Sequence, residues 1–328
     1  MPRSIPSVIF ACVVAAVWVA GAYLCSPGIS DLMFRASALI VLAISWNLMA
    51  NAGLISLAQA SFSGVGGYAG AILAHNWGLS LISVLPFAIG AGALLGVFLA
   101  VTTGRLSGLF FAIATLAASE GLRVIALMVP ALTGGAQGIY VPQAVRYDLQ
   151  TISVAAAALA GLCLVMTVLL SFTRFHYACR AMRNGESTAK MLGLDPGYYR
   201  LRALALSGAM AACMGLLSAW YAGFLDPRIA FSLQVTLVAQ IAPILGGIYT
   251  VAGPVIGAIA LTGITELTRL GFNSNEAFGQ MLYGVILVVC VLQMPRGIYG
   301  ACEQVTARAG RYWQGWRRAR GVTAGADS

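Results

Sequence analysis

Residues 174–202 read RFHYACRAMRNGESTAKMLGLDPGYYRLR, and their charges could not lie in hydrocarbon. On both sides of this stretch the chain consists mainly of apolar blocks of roughly 20 residues, the length that crosses a bilayer as a helix. We therefore interpret residues 174–202 as the place where a multi-span membrane protein presents a folded surface to water.

Local signals predict a short helix of about two turns within this stretch. Asn184 can cap its start, and Glu186 and Lys190 then lie four residues apart at the ends that suit their charges. Gly193 can end the helix in a left-handed conformation, and the Asp-Pro-Gly of residues 195–197 predicts a turn. The pattern is compatible with an ordinary solvated loop or with a docking element.

Composition determines the fold class. Hydrophobic residues make up 60% of the 328 residues, only 9% are charged, and the mean hydropathy is +0.87. A soluble domain would leave too much of this apolar surface in water. We predict an all-α, polytopic transmembrane bundle of about ten spans. The expected spans are residues 8–24, 32–49, 53–75, 79–101, 107–129, 152–172, 203–225, 233–248, 254–270 and 277–292.

The distribution of charge predicts the orientation. With both termini in the cytoplasm, 14 of the 19 Lys and Arg residues lie on the cytoplasmic side, as the positive-inside rule requires. Residues 1–294 then form a transmembrane domain with a cytoplasmic loop at 174–202, and residues 295–328 form a basic cytoplasmic tail. The net charge of +9 follows from this topology and from contact with anionic lipid, so no nucleic acid is needed as a partner.

The sequence lacks the residues of an energy-converting or catalytic site. Lys190 is the only lysine and follows Ala189, so a phosphate-binding G-x-x-x-x-G-K-[ST] loop cannot exist in this chain. No nucleophilic triad or pair of catalytic carboxylates is visible, and His75 and His176 show no metal-ligand spacing. We expect no catalytic residue, no metal and no bound cofactor, and any ATP and Mg²⁺ would be used by partner subunits.

The third predicted span is the first candidate for a solute pathway. It begins with polar residues and is then expected to break at Gly64, Gly66, Gly67 and Gly70, where an unwound backbone could face a solute. Close helix packing through small residues explains the same glycines equally well. The polar candidates are Asn51, Gln59, Ser61 and Ser63.

Two further sites are candidates. Glu120 lies beyond the midplane of the fifth span, where a carboxylate is costly unless it is paired or faces water. Arg123 lies one turn further on, so the two residues are either a pathway site or a mutually neutralising pair. Thr133, Gly134 and Gly135 begin an outer loop that could gate or receive a partner, or be a plain turn.

Several motifs, in this order along the chain, resemble the LivM-type permease subunits of branched-chain amino acid ABC transporters. They are N-x-G-x-x-S-L-x-Q at 51–59, G-x-G-G-Y-x-G at 64–70, A-T-L-x-x-x-E-x-x-R at 114–123, T-G-G-x-x-G-I at 133–139, R-A-x-R-x-x-E-x-x-A-x-x-x-G at 180–193 and I-L-G-G-x-x-x-x-x-G-P-x-x-G-A at 244–258. This sequence departs from the common pattern of the family at Ser187-Thr188 and at Gln137. Urea and amide permeases share the same pattern, so the resemblance leaves the solute open.

The resemblance implies an inner-membrane permease with a homologous second permease, two ABC ATPase subunits and a periplasmic solute-binding protein as partners. In this hypothesis residues 186–192 form the coupling helix that lies in a groove of an ATPase. Met182, Ala189 and Leu192 are expected to supply contact, Arg183 and Glu186 to orient the helix, and Gly193 to end it. A secondary transporter acting alone and a membrane scaffold are the alternatives from other classes.

Overall fold

The computed structural model describes residues 4–24 and 27–271, together with residues 284 and 288. The predicted tenth span at 277–292 falls outside the described residues apart from those two positions, and the predicted tail at 295–328 lies wholly outside them. Within the described ranges the chain is a helical bundle with one short pair of strands. The elements are α1 Ser4–Leu24, α2 Pro27–Asn51, α3 Gln59–Trp77, α4 Leu81–Thr102, α5 Gly108–Met128, α6 Pro130–Thr133, β1 Ile139–Tyr140, α7 Leu149–Ser171, α8 Arg174–Asn184, α9 Glu186–Met191, α10 Pro196–Ala222, β2 Phe224–Leu225, α11 Pro227–Ala230, α12 Leu233–Gly247 and α13 Gly253–Gly271.

The helices support the prediction of a multi-span bundle. Seven segments among the described residues are long and apolar enough to cross a membrane. Six of them lie in α1, α2, α4, α5, α7 and α10, and the seventh joins α11 to α12 as Pro227–Gly247. The helices α3 and α13 occupy the positions expected for the third and ninth spans without being among these seven. The total of ten spans and the cytoplasmic termini stay predictions.

Helix α10 lies at the centre of the bundle, between α2, α3 and α4. Glycines allow its backbone to approach both α3 and α4 closely. A Cβ atom at Gly66 would overlap the backbone of Ala212, and one at Gly92 would overlap that of Gly208. Because lipid is as apolar as a leucine side chain, such close packing replaces the hydrophobic effect as the force that joins these helices.

The remaining long helices surround this centre. Helix α1 packs on α7 through Ala15 and Gly161, and α7 packs on α2. The indole of Trp18 also donates to Ser37 Oγ of α2 at 2.9 Å. Helices α12 and α13 form a hairpin against α2 in which Gly257 approaches the backbone of Ala242.

The two ends of the bundle differ in structure. One end carries α8 and α9, and we call it the α8–α9 end. The other end carries the antiparallel ribbon of β1 and β2, in which Ile139 pairs with Leu225, and we call it the β end. Val141 N–H continues the ribbon by donating to Gly223 O at 3.1 Å, and Trp220 Nε1 donates to Val145 O at 3.1 Å. The described chain is all-α as predicted, and this ribbon of two-residue strands is a minor addition to it.

The stretch 174–202 folds as α8, α9 and the first two turns of α10. The predicted short helix exists, but Asn184 does not cap it, because α8 extends through Asn184 and the break falls at Gly185, which adopts φ +149°. Gly193 adopts the predicted left-handed conformation, with φ +73°. A left-handed glycine at this point allows the chain to leave α9.

The predicted turn at residues 195–197 is wrong. Asp195 caps α10 instead, because its Oδ1 accepts from Gly197 N–H at 2.9 Å. Pro196 is tolerated in the first turn, where its missing N–H would have no helical partner in any case. The seventh span therefore begins seven residues earlier than the expected Ala203.

Candidate functional site

The helical path between α2 and α3 is interrupted at residues 52–58. At one end of this unwound segment Gly53 lies against Arg183, at the α8–α9 end of the bundle. At its other end Gln59 begins α3, and three residues later Phe62 packs beside Gly208, near the middle of α10. The segment therefore descends from one end of the bundle to about half its depth.

Side chains from other helices satisfy the backbone of the unwound segment. Trp46 Nε1 donates to Ser56 O at 3.0 Å, and Leu57 N–H donates to Thr115 Oγ1 of α5 at 3.0 Å. At the beginning of α3, Ala60 N–H donates to Thr236 Oγ1 of α12 at 3.0 Å. Non-helical backbone at membrane depth requires such partners, since neither lipid nor a helix ladder satisfies it.

The sequence reasoning missed Thr115 and Thr236 as supports of this segment. Both are fully or almost fully buried hydroxyls in otherwise apolar helices. Thr115 stands inside the motif at 114–123, so its position was marked, but its role depends on a contact across 58 residues of sequence. The sequence does not indicate which backbone group an isolated threonine in an apolar span will hydrogen-bond.

Two of the four polar candidates, Gln59 and Ser61, lie in the packed interior at the start of α3. Gln59 Nε2 donates to Leu42 O at 3.3 Å and to Ser45 Oγ, both on α2. Gln59 Oε1 and Ser61 Oγ are buried without a hydrogen-bond partner in the part of the chain that the structure describes. Asn51 is half-buried and donates to Asn47 O at 2.9 Å, while Ser63 is half-buried with its backbone beside Gly215. The structure therefore joins these residues to α2 and α10.

The predicted break at the glycines of α3 is wrong in position. Helix α3 is continuous from Gln59 to Trp77, and Gly64, Gly66, Gly67 and Gly70 all lie inside it. Added Cβ atoms would meet Phe231, Ala212, Gly215 or Leu225, and Leu216 or Trp220, respectively. These glycines serve close packing, and the unwinding occurs before them, where Trp46, Thr115 and Thr236 provide alternative hydrogen bonds.

Glu120 and Arg123 form an ion pair on α5, with Arg123 Nε 2.7 Å from Glu120 Oε2. The two side chains are 42% and 32% exposed, respectively, so this pair faces away from the packed interior. Within the described residues the hydrogen bond from α5 to the unwound segment comes from Thr115. The structure thus brings Glu120 and Arg123 together but places them apart from the network of Gln59.

Thr133, Gly134 and Gly135 form a tight turn at the β end. Thr133 Oγ1 donates to Val129 O at 2.8 Å and accepts from Gly135 N–H at 3.2 Å. Gly134 and Gly135 adopt φ of +73° and +56°. Two consecutive residues in this region of φ favour glycine, which explains their presence structurally.

The α8–α9 segment presents a different face from the one expected. Met182 and Ala189 are buried within the chain, whereas Met191 and Leu192 are 85% and 67% exposed. Glu186 Oε1 lies 3.7 Å from Arg200 Nη1, and this ion pair replaces the expected pairing with Lys190. The exposed apolar residues at the end of α9 are therefore Met191 and Leu192, and Tyr177 is a further one on α8.

The titratable groups of α8 are shifted by their surroundings. Burial lowers the pKa of the His176 imidazole, and the nearby guanidinium groups of Arg180 and Arg183 lower it further. Burial raises the pKa of the Cys179 thiol to about 12. The imidazole is therefore held neutral, and the thiol is a buried apolar group and not a nucleophile.

The family model described as "Branched-chain amino acid transport system / permease component" matches residues 28–291. The chain belongs to this family. It is a permease component with several membrane-spanning helices, which agrees with the prediction from the motifs. No solved structure matches the chain.

Three relatives show the breadth of the family. This permease is 26% identical to the high-affinity branched-chain amino acid transport system permease protein LivM of Escherichia coli K12, over 85% of its own length and 72% of LivM. It is 31% identical to LivH of the same organism over 43% of its length and 44% of LivH. It is 27% identical to the autoinducer 2 import system permease protein LsrC of Yersinia enterocolitica, over 77% of its length and 72% of LsrC.

Proposed function

We propose that this permease is the membrane subunit of an ABC importer in a bacterial inner membrane and carries branched-chain or other apolar amino acids. The observation that supports the proposal most strongly is the match of the family model over residues 28–291, together with the similarity to LivM along most of the chain. The partners would be a homologous second permease, two ABC ATPases and a periplasmic solute-binding protein. ATP and Mg²⁺ would act in the ATPases, and this chain would hold no cofactor.

In this proposal the α8–α9 end faces the cytoplasm and α9 is the coupling helix. Met191 and Leu192 project from it into solvent, as residues that enter a groove of a partner should. Met182 and Ala189 support it from within, and Arg183 and Glu186 orient it through Tyr249 and Arg200. Gly193 ends the helix, and its φ of +73° makes it the position where a side chain would be strained.

The solute pathway would run past the unwound segment and α5. Asn51, Gln59, Ser61 and Ser63 give this region its polarity. Gln59 Oε1 and Ser61 Oγ have no hydrogen-bond partner among the described residues and therefore have hydrogen-bonding capacity to spare. Glu120 and Arg123 lie apart from these groups, on the exposed face of α5, and would line a separate stretch of the pathway. The turn at Thr133, Gly134 and Gly135 would lie at the receiving end. An amino acid zwitterion offers one positive and one negative group to such a surface.

A different solute is the alternative within the family. LsrC is named as a permease protein of an autoinducer 2 import system, and LivM as one of a branched-chain amino acid system, so similarity at this level does not determine the cargo. Urea or a short amide would suit the same polar groups. A secondary transporter acting alone is the alternative outside the family's mode of action, and it would have no use for an exposed Met191 and Leu192.

The function is tested by purifying the tagged chain from its native membrane and identifying what accompanies it. We expect an ABC ATPase and a second permease. Reconstituted into liposomes with the binding protein, this complex should accumulate labelled leucine when ATP is supplied to the ATPase side. Uphill uptake by the chain alone, driven by an ion gradient, would contradict the proposal. ATP-driven uptake of urea and not of leucine would keep the ABC importer but change its proposed solute from an amino acid to urea.

Coupling is tested by substitutions at the exposed end of α9. Met191→Asp and Leu192→Asp together should abolish co-purification of the ATPase without unfolding the permease, because both side chains are exposed. Ile229→Asp, which alters an equally exposed apolar residue near the β end, is the matched control and should retain the ATPase. Deleting residues 183–193, or Ala189→Pro, should uncouple ATP hydrolysis from uptake, and normal transport in these variants would contradict the role of α9.

A further inference from the structure

The turn between α12 and α13 is held to α2 by one asparagine. Asn47 Oδ1 accepts from Tyr249 N–H at 3.0 Å, and Asn47 Nδ2 donates to Thr250 O at 2.9 Å. Tyr249 has φ +69°, and it is the only residue other than glycine with positive φ in the described ranges. A bulky residue keeps that conformation only where its neighbours enforce it. The two hydrogen bonds to Asn47 therefore define the shape of this turn.

The side chain of Tyr249 contacts the last turn of α8. The guanidinium carbon of Arg183 lies 4.0 Å from the centroid of the Tyr249 ring, a cation–π contact. On its other side, Arg183 borders the start of the unwound segment, because a Cβ atom at Gly53 would be 3.2 Å from Arg183 Cα. One residue of α8 thus contacts both the α12–α13 turn and residues 52–58.

The two helices of the hairpin beyond the turn are packed backbone to backbone. Gly246, Gly253 and Gly257 allow backbone contact between α12 and α13, and added Cβ atoms would overlap the facing helix. Thr250 closes the turn itself, since its Oγ1 accepts from Gly253 N–H at 2.9 Å and donates to Gly247 O at 2.7 Å. A displacement applied at Tyr249 is therefore shared by both helices.

Helix α12 also contacts the far end of the unwound segment, where the segment meets α3. Its Thr236 holds Ala60 N–H at 3.0 Å, directly after the segment ends. Residues 52–58 are consequently connected to α8 at Gly53. Through Tyr249 and α12 they are also connected at Leu57, whose carbonyl oxygen accepts from Thr236 Oγ1 at 3.5 Å. Non-helical backbone between two such attachment points is the part of the bundle that can change shape with the least loss of helical hydrogen bonds.

We propose that Arg183, Tyr249 and Asn47 form a coupling joint, which converts displacement of α8 and α9 into a concerted movement of the α12–α13 hairpin and the unwound segment 52–58. The inference rests on the proposed function and deepens it. It adds Asn47 and Tyr249 as positioning residues for transport. Among the described hydrogen bonds and ring contacts, neither residue contacts Met191 or Leu192, the proposed ATPase-binding residues.

The joint is tested in the complete complex, reconstituted with its ATPase and second permease, by measuring leucine transported per ATP hydrolysed. Tyr249→Gly removes the ring and accepts the turn's φ without strain, so the turn itself should survive. Tyr249→Gly and Arg183→Gln should each lower the ratio roughly fivefold, and Asn47→Ala should act in the same direction. Tyr249→Phe and Arg183→Lys, which keep the ring and the cation, should remain near wild type.

A double-variant cycle separates a joint from two independent defects. Combining Arg183→Gln with Tyr249→Gly should lower the ratio no further than either change alone, because each already breaks the same contact. The matched control is the pair of Arg202 and Tyr198 in the first turns of α10. The guanidinium carbon of Arg202 lies 4.2 Å from the centroid of the Tyr198 ring. Arg202→Gln and Tyr198→Ala should leave the ratio unchanged.

A second measurement follows the unwound segment directly. Ile55 is exposed, so an Ile55→Cys variant can be labelled with a thiol reagent and the modified peptide quantified. In an otherwise wild-type complex, adding ATP should change the labelling rate, and Arg183→Gln should abolish that change. Multiplicative losses in the double variant, or nucleotide-dependent labelling that survives Arg183→Gln, would overturn the joint while leaving ATP-driven transport intact. Absence of ATP-driven transport in wild type would count against the proposed function itself.

Discussion

Helices α10 and α5 are both long enough to span a membrane, but they are surrounded differently. Of the most apolar 18-residue window in each, 78% of the residues are buried in α10 and only 28% in α5. Helix α10 meets glycines of α3 and α4, whereas no described residue lies within 4 Å of a Cβ atom added at Gly121 of α5. Yet α5 carries an ion pair, Glu120 with Arg123, in its second half.

This difference shows which surface of the permease is unsuited to lipid. Helix α1 is even more exposed than α5, with 11% of its window buried, and that window contains no charged residue. A charged pair on a similarly exposed helix is costly in hydrocarbon, by several kcal/mol. The exposed face of α5 therefore calls for water or protein beside it, as the proposed pathway and second permease would provide, while α1 is suited to contact lipid.

The largest expected effect comes from filling the interface of α10. Gly66→Val would place its side chain on the backbone of Ala212, and neither helix can retreat without losing its other contacts. We expect a loss of about 3 kcal/mol or more in stability, seen as loss of the monodisperse protein in detergent. Gly263→Val on α13, where a Cβ atom meets nothing within 4 Å, is the control and should fold. A well-folded Gly66→Val protein would show that α10 is not packed more tightly than the exposed helix α5.

The next effect concerns the anchor that joins the start of α5 to α10. The buried Arg200 donates from Nη1 to Gly104 O at 2.7 Å and from Nη2 to Leu106 O at 2.5 Å. Arg200→Gln should destabilise the protein by about 3 kcal/mol, because these carbonyls lose a charged donor. Thermal unfolding in detergent measures this, with the exposed Arg202→Gln as the neutral comparison. Equal stability of the two variants would mean that α5 is held by other contacts.

The ion pair of α5 gives an intermediate effect, on transport and not on stability. Glu120→Gln should slow leucine uptake about tenfold, equivalent to about 1.4 kcal/mol, if this side chain lines the pathway. Glu266 provides a matched control, since it also pairs with an arginine three residues later, Arg269, at 2.6 Å. Glu266→Gln should transport normally. An unchanged rate in Glu120→Gln would reduce Glu120 to a structural partner of Arg123.

The smallest effect distinguishes a protein partner from lipid beside α5. Gly121→Ala adds one methyl group where this chain has open space, so the isolated permease should gain up to about 1 kcal/mol from helix propensity. If the second permease covers this face closely, the same change should weaken co-purification of the two subunits. Gly263→Ala should give the gain without affecting assembly. Unchanged assembly in both variants would indicate that α5 faces water or lipid at Gly121.

The sequence predicted those parts of the structure that depend on neighbouring residues along the chain. Apolar length located most of the helices, the three-residue spacing brought Glu120 and Arg123 together, and Gly193 adopts the left-handed conformation expected of it. The short helix α9 was also predicted from local signals, whereas its coupling role came from the family resemblance and stays a proposal. Its boundaries were less exact, because both Asn184 and Gly185 can interrupt a helix and only the packing of α8 decides between them.

The parts that could not be predicted depend on distant partners. The unwinding falls at residues 52–58 because Trp46, Thr115 and Thr236 supply hydrogen bonds there, and two of these three come from other spans. Glu186 pairs with Arg200 and not with Lys190 for the same reason, since the fold returns α10 to the side of α9. A glycine-rich pattern alone cannot distinguish a break from close packing.

The glycine contacts of α10 also limit how the permease can change shape. Sliding by one helical turn would drive side chains into backbone at Gly66, Gly92 and Gly96 simultaneously. Helices α3, α4 and α10 should therefore travel as a single stiff block throughout the cycle. Deuterium would then enter their amides slowly and at similar rates in every nucleotide state, and any alternation between openings would be confined to the elements around that block.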